Sequence, residues 1–137
     1  MRHVLSVVLS LLSTPALAAE VSIFKDPYCG CCQGWADYMH AQGWDTKVHT
    51  SSDMDEVKRR HHVPAQMQSC HTALIEGYVI EGHVPAEAIA KLLKERPQAI
   101  GLAAPGMPQG SPGMSGAKEP FTVYLFSDTG AKPYMRF

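Results

Sequence analysis

The sequence predicts one mixed α/β domain with the order βαβαββα, extended by a long loop and a C-terminal β-hairpin. Three observations carry that expectation. Short apolar runs alternate with segments of helical period, which is the signature of strands interleaved with helices. The chain has 137 residues, 45% hydrophobic and 18% charged, the size and balance of a single globular domain. The stretch 101–120 carries glycine or proline at nine of its 20 positions, and a clean turn signal follows it.

Residues 1–18 are expected to stand outside the domain. Arg2 and His3 give a short basic start, Val4 to Leu12 is almost wholly apolar, and Ala16 and Ala18 offer a small-residue cleavage pattern. That is a secretory signal peptide, cut after Ala18. Its apolar run is too short for the roughly 20 residues of a membrane span. Residues 19–137 then form the domain, and nothing later in the chain could cross a bilayer. With 12 basic against 13 acidic residues the formal charge is −1, and the longest basic run is Lys58-Arg59-Arg60. Nucleic acid is therefore not an expected partner.

The elements follow in order. Val21-Ser22-Ile23-Phe24 reads as a strand that Asp26-Pro27 breaks. Gln33–Gln42 reads as a helix, with Trp35, Ala36 and Met39 near helical spacing and Gly43 closing it. Trp44–Thr50 reads as a second strand. Asp53, with Glu56 three residues on, signals a helix running to about His62. Ala73–Val84 reads as two strands meeting near Glu76-Gly77. Pro85 opens a helix whose Ile89, Leu92 and Leu93 share a face, and Arg96-Pro97 ends it. No regular element is expected in 101–120, a loop long enough to suggest a function. Phe121–Phe126 and Lys132–Phe137, around Ser127-Asp128-Thr129-Gly130, make the hairpin.

The chemistry concentrates in Tyr28-Cys29-Gly30-Cys31-Cys32, between the first strand and the first helix. A sulfur there meets unpaired helix N–H groups and the positive end of the helix dipole, which favours the thiolate. Residues three apart on a helix share a face, so Cys29 and Cys32 point the same way, with Cys31 about 100° round the turn. Among the metals an exported protein is expected to meet, thiolate and thioether ligands select Cu(I). Sulfurs fanned around one turn converge poorly on one ion and can bridge several, so a small copper–thiolate cluster is the natural metal reading. Other readings stay open: structural disulfides pairing Cys29 with Cys32 and Cys31 with Cys70, a structural zinc site, or inert buried cysteines. His71 adjoins Cys70 and is a candidate ligand or thiolate-tuning group. Met107 and Met114, each beside glycine or proline in the long loop, are thioether candidates. His83 is a weaker candidate. Trp35 and Trp44 read as core residues, and the basic triplet as a solvated helix face.

A strand, an aromatic-Cys-Gly-x-Cys turn, a helix and then βαββα resemble a thioredoxin fold. The resemblance puts Cys29 and Cys32 in the two redox-cysteine places, as the catalytic pair of any thiol–disulfide chemistry. It puts Cys31 where a proline often stands, and His71 at the place of the cis-proline that faces the pair. Cys70 would then face the other three cysteines. Over residues 19–137 the chain is similar to the CopG-type family, through Tyr28-Cys29-Gly30-Cys31-Cys32, Val63-Pro64, Gln68-Ser69-Cys70-His71-Thr72, Gly82-His83-Val84-Pro85, Gly106-Met107-Pro108 and Ser111-Pro112-Gly113-Met114. Those are periplasmic proteins encoded beside bacterial copper-resistance determinants. The resemblance implies a thioredoxin-like fold, copper bound by Cys29, Cys31, Cys32 and Cys70, a redox role in copper handling, and other periplasmic copper-handling proteins as partners. A periplasmic thiol–disulfide oxidoreductase acting on proteins is the alternative enzyme reading, and a disulfide-stapled or zinc module the structural one.

Overall fold

The structure is a computed structural model that describes residues 18–137; the expected signal peptide lies outside the described residues apart from Ala18. Its elements are β1 (Glu20–Lys25), α1 (Gly30–Ala41), β2 (Asp45–Thr50), α2 (Met54–Arg60), a single 3-10 turn (Ala65–Met67), β3 (Thr72–Ile75), β4 (Tyr78–Glu81), α3 (Ala86–Glu95), β5 (Gly101–Ala103), β6 (Thr122–Ser127) and β7 (Gly130–Arg136). The strands form one seven-stranded sheet in the order β2-β1-β3-β4-β5-β6-β7. β1 pairs with β2 in parallel and β4 with β5 in parallel, and the other neighbours are antiparallel.

Alternation along β4 shows how the sheet is covered. Tyr78 and Ile80 join the larger core with α1 and α3, through Trp35, Met39, Ile89 and Leu92. Val79 points to the other face and packs with Val63, Met67 and Phe126. Side chains alternate across a strand, so each of the two faces acquires its own apolar layer. Trp35 has no exposed surface, and its indole N–H donates to the Val84 carbonyl at 2.9 Å. A buried side chain of that size contributes about 3–5 kcal/mol when compared with alanine.

Several boundaries differ from the sequence reading. α1 starts at Gly30, three residues earlier than expected, so Cys31 and Cys32 lie inside its first turn and Cys29 is its N-cap. Gly30 and Gly34 interrupt the apolar period at this end, so spacing alone shows the helix only from Gln33 onward. β4 stops at Glu81 rather than Val84, because Gly82 turns the chain at φ +75°. The largest correction is β5: the stretch read as loop contributes Gly101–Ala103 to the sheet. A Cβ on Gly101 would sit 1.7 Å from the Val79 carbonyl oxygen. Glycine here permits backbone contact instead of breaking a strand. Three residues are also too few to show a period. Pro85, α3 and the hairpin turn at 127–130 stand where the sequence puts them. Among the described residues no helix is long and apolar enough to cross a membrane.

Candidate metal centre

The turn before α1 is built locally. The Asp26 carboxylate accepts from the Tyr28 N–H at 2.8 Å, and the Asp26 carbonyl accepts from the Cys29 N–H at 3.1 Å. This Asx turn delivers Cys29 to the helix N-terminus. Cys29 and Cys32 are joined by a disulfide. Cys31 and Cys70 are free thiols, both partly buried. Cys31 Sγ lies 3.5 Å from Cys29 Sγ and 3.9 Å from Cys70 Sγ. The four sulfurs all lie within 4.8 Å of one another. Cys70 therefore does cross to the helix turn, although 38 positions of chain separate it from Cys32. The pairing of Cys31 with Cys70, weighed above, is not formed in the structure; their sulfurs are in contact as thiols.

Cys70 belongs to a second group as well. His71 Nδ1 is 3.3 Å and His83 Nε2 3.0 Å from its sulfur, and these three ligand atoms also lie within 4.8 Å of one another. His83 is the residue that sequence reasoning underweighted. It sits past a strand end, in no periodic pattern, and only the pairing of β3 with β4 lays it beside Cys70. Its Nδ1–H donates to the Pro112 carbonyl at 2.7 Å. That hydrogen bond leaves the Nε2 lone pair facing Cys70, the arrangement in which metal-binding histidines are commonly held. His71 is fully buried against Trp35, ring centroids 4.6 Å apart, and its Nε2 has no hydrogen-bond partner.

The electrostatics favour neutral forms. Burial first, then the neighbouring Cys31, pushes the Cys70 thiol up to about 12. Burial holds His71 well below the usual imidazole range, with His83 and Lys58 adding to it. Burial also lowers His83, against the Pro112 carbonyl, which raises it. A metal ion that displaces the Cys70 proton would thus compete with a strongly held hydrogen, so metal affinity should fall steeply with acid.

These shifts predict acid sensitivity of the metal-free fold. An unfolded histidine binds a proton near pH 6.5, whereas folded His71 and His83 resist it. Their contribution is complete above pH 6.5 and is lost as pH falls below it toward their lowered folded values. Buried Glu81 has the opposite sign. Its carboxyl is raised above 4.5 by burial, so its contribution is complete below 4.5 and is lost as pH rises through the raised value. Urea unfolding of copper-free protein is expected to show stability dropping from pH 7.5 to 5.5, with a shallower drop in His83→Gln. An equal slope in the variant contradicts the assignment.

The long loop is a strap across this centre. Gly106 N–H donates to the Gln68 carbonyl at 3.4 Å, and the Ser69 hydroxyl donates to the Gly106 carbonyl. At the other end a Cβ on Gly113 would lie 2.4 Å from the Trp35 backbone nitrogen, and φ there is +84°. Only glycine lets the strap approach α1 this closely. Met107 follows the first fastening and is 55% exposed; Met114 follows the second and is half-buried. The structure sets both methionines on the strap that flanks the centre. Lys58, read as part of a solvated basic face, is instead buried in an ion pair with Glu81; only Arg59 and Arg60 are exposed, on Glu56. A basic residue with an inward carboxylate partner looks like any other in a linear triplet.

A mixed α/β domain that gathers four cysteine sulfurs and two buried imidazoles beside one helix N-terminus is a cysteine-rich domain whose donor set, once the disulfide is reduced, suits a soft metal ion. The chain is similar to two solved structures of copper resistance protein CopG, form 2 and form 1, each at 39% identity over 88% of this chain and 98% of that one, with TM-scores of 0.83 and 0.82. Residues 67–114 match a family described as a protein of unknown function, DUF411. No curated protein sequence matches the chain. The chain belongs to the CopG family of copper resistance proteins.

Proposed function

We propose that this protein handles copper outside the cytoplasm, in the periplasm, as part of copper resistance. Residues 1–18 serve as its export signal and residues 19–137 as a single thioredoxin-like domain. Strand order β2-β1-β3-β4, parallel at β1/β2 and antiparallel beyond, supports that fold reading. Copper here is cargo and substrate. The observation that carries the proposal is the group of four sulfurs within 4.8 Å of one another: when Cys29–Cys32 is reduced, Cys29, Cys31, Cys32 and Cys70 offer a soft donor set suited to Cu(I). His71 and His83 extend it with imidazole nitrogens, and Met107 and Met114 offer thioethers along the strap. The disulfide takes up two electrons and two protons on becoming two thiols. Two Cu(I) ions passing to Cu(II) release two electrons, so one disulfide balances two copper ions. Other periplasmic copper-handling proteins are the natural donors and acceptors.

Anaerobic titration of the reduced protein against a competing Cu(I) chelator is expected to saturate above one ion per chain. Saturation at one ion, or no binding beyond a cysteine-free variant, contradicts the cluster. Zn(II) displacing Cu(I) in direct competition would favour a structural zinc site instead.

One observation favours a second reading, a thiol–disulfide oxidoreductase acting on proteins. Cys29 is partly exposed and Cys32 wholly buried, as suits an attacking and a resolving thiol. Insulin reduction is nevertheless expected to be weak, because Cys31 stands 3.5 Å from Cys29 and can capture the mixed disulfide. Turnover near that of a thioredoxin, surviving Cys31→Ser and Cys70→Ser, would decide for the enzyme.

A further inference from the structure

Behind the sulfurs lies a buried ion pair. Glu81, at the end of β4, has no exposed side-chain surface, and the Lys58 side chain from α2 is 6% exposed. Withdrawing two charges from water is costly, and an apolar pair of equal volume is often no worse for stability. The other partners of Glu81 suggest what this pair does. Its Oε1 accepts from Lys58 Nζ and from the backbone N–H of Ser69 at 2.8 Å. Its Oε2 accepts from the Thr72 hydroxyl at 2.6 Å. Ser69 and Thr72 stand immediately on either side of Cys70-His71. Between them the His71 carbonyl accepts from the Gly82 N–H at 2.9 Å. One carboxylate therefore clamps both ends of the dipeptide, and the next residue along holds its middle.

Cys70 needs such a clamp more than the other cysteines do. Cys29, Cys31 and Cys32 are fixed by the helix turn they share, whereas Cys70 lies on irregular chain before β3. A carboxylate suits the task because its two oxygens accept all three donors. An unbalanced negative charge at this depth would oppose the thiolates that metal binding requires. Lys58 balances it, and also donates to the Thr72 hydroxyl at 3.2 Å.

We propose that Glu81, neutralised by Lys58, is the positioning residue that holds Cys70 against Cys31 and so completes the sulfur group. The proposal rests on the copper reading only for its consequence, since the clamp itself can be read without metal.

The test has a metal-free arm and a copper arm. Protein holding the Cys29–Cys32 disulfide has Cys31 and Cys70 as free thiols, and their iodoacetamide alkylation rates are followed by peptide mass spectrometry. Glu81→Ala is expected to raise the Cys70:Cys31 rate ratio about tenfold and, after reduction, to weaken Cu(I) binding about tenfold or more, as loss of a ligand-orienting partner does. Glu81→Gln keeps an acceptor for Ser69 and is expected to bring both values back within about threefold of the parent. A ratio unchanged within about twofold in Glu81→Ala protein with native near-UV circular dichroism overturns the proposal. Should that variant fail to fold, Thr72→Val releases one end of the clamp alone. It is expected to raise the ratio about threefold, and an unchanged ratio there is equally fatal. A raised ratio with undiminished Cu(I) affinity upholds the clamp and instead overturns Cys70 as a copper ligand.

Discussion

Serine at position 70 is expected to damage copper binding as severely as serine at position 29. Stoichiometry in the anaerobic Cu(I) titration should fall, and the affinity that remains should drop by more than about tenfold, equivalent to about 1.4 kcal/mol. The reason is that Cys70 is shared. Its sulfur stands 3.9 Å from Cys31 on one side, and 3.0 and 3.3 Å from His83 and His71 on the other. Removing it takes a donor from both groups at once, whereas Cys29 belongs only to the sulfur group. Circular dichroism should stay native, since Cys70 lies in no helix or strand. Unchanged stoichiometry and affinity in Cys70→Ser would separate the loop before β3 from the metal centre.

The second large effect is on stability. Lys58→Met is expected to cost about 3–5 kcal/mol, because it leaves the Glu81 carboxylate buried without a counter-charge. The side-chain exposures, 6% for Lys58 and none for Glu81, place the pair well away from solvent screening. Changing both, as Lys58→Met with Glu81→Gln, should recover most of the loss. The amide is neutral, and its carbonyl still accepts from the Ser69 N–H. Urea denaturation of the two single variants and the double variant measures the coupling directly. Additive losses would show that the charges do not act as a pair. The exposed pairs of Glu56 with Arg59 and Arg60 provide the contrast: breaking either should leave the urea midpoint nearly unchanged, because solvent screens them.

Much of the fold was legible because its elements are long enough to show a period or carry a stop signal. The capping of α2 by Asp53, the start of α3 after Pro85 and the closing turn at 127–130 all rest on local chemistry, in which a side chain acts on its own or nearby backbone. The Asp26 turn that sets up Cys29 is local in the same sense. Strand β5 was not legible: what makes Gly101 suitable is the Val79 carbonyl 22 positions earlier, and no local pattern records that contact.

The candidate metal centre divides along the same line. By itself the sequence determined that three sulfurs fan out from one helix turn, since their separation is a few residues and helix geometry does the rest. Placing Cys70 and His71 opposite that turn needed the family resemblance, and the sheet register accounts for it. Tertiary structure alone decided three things: that His83 reaches Cys70 from the end of β4, that Pro112 in the strap orients it, and that Lys58 turns inward to Glu81. Each of these joins residues at least 13 positions apart. Such contacts depend on how strands and loops pack in three dimensions, and neither spacing nor periodicity along the chain encodes them.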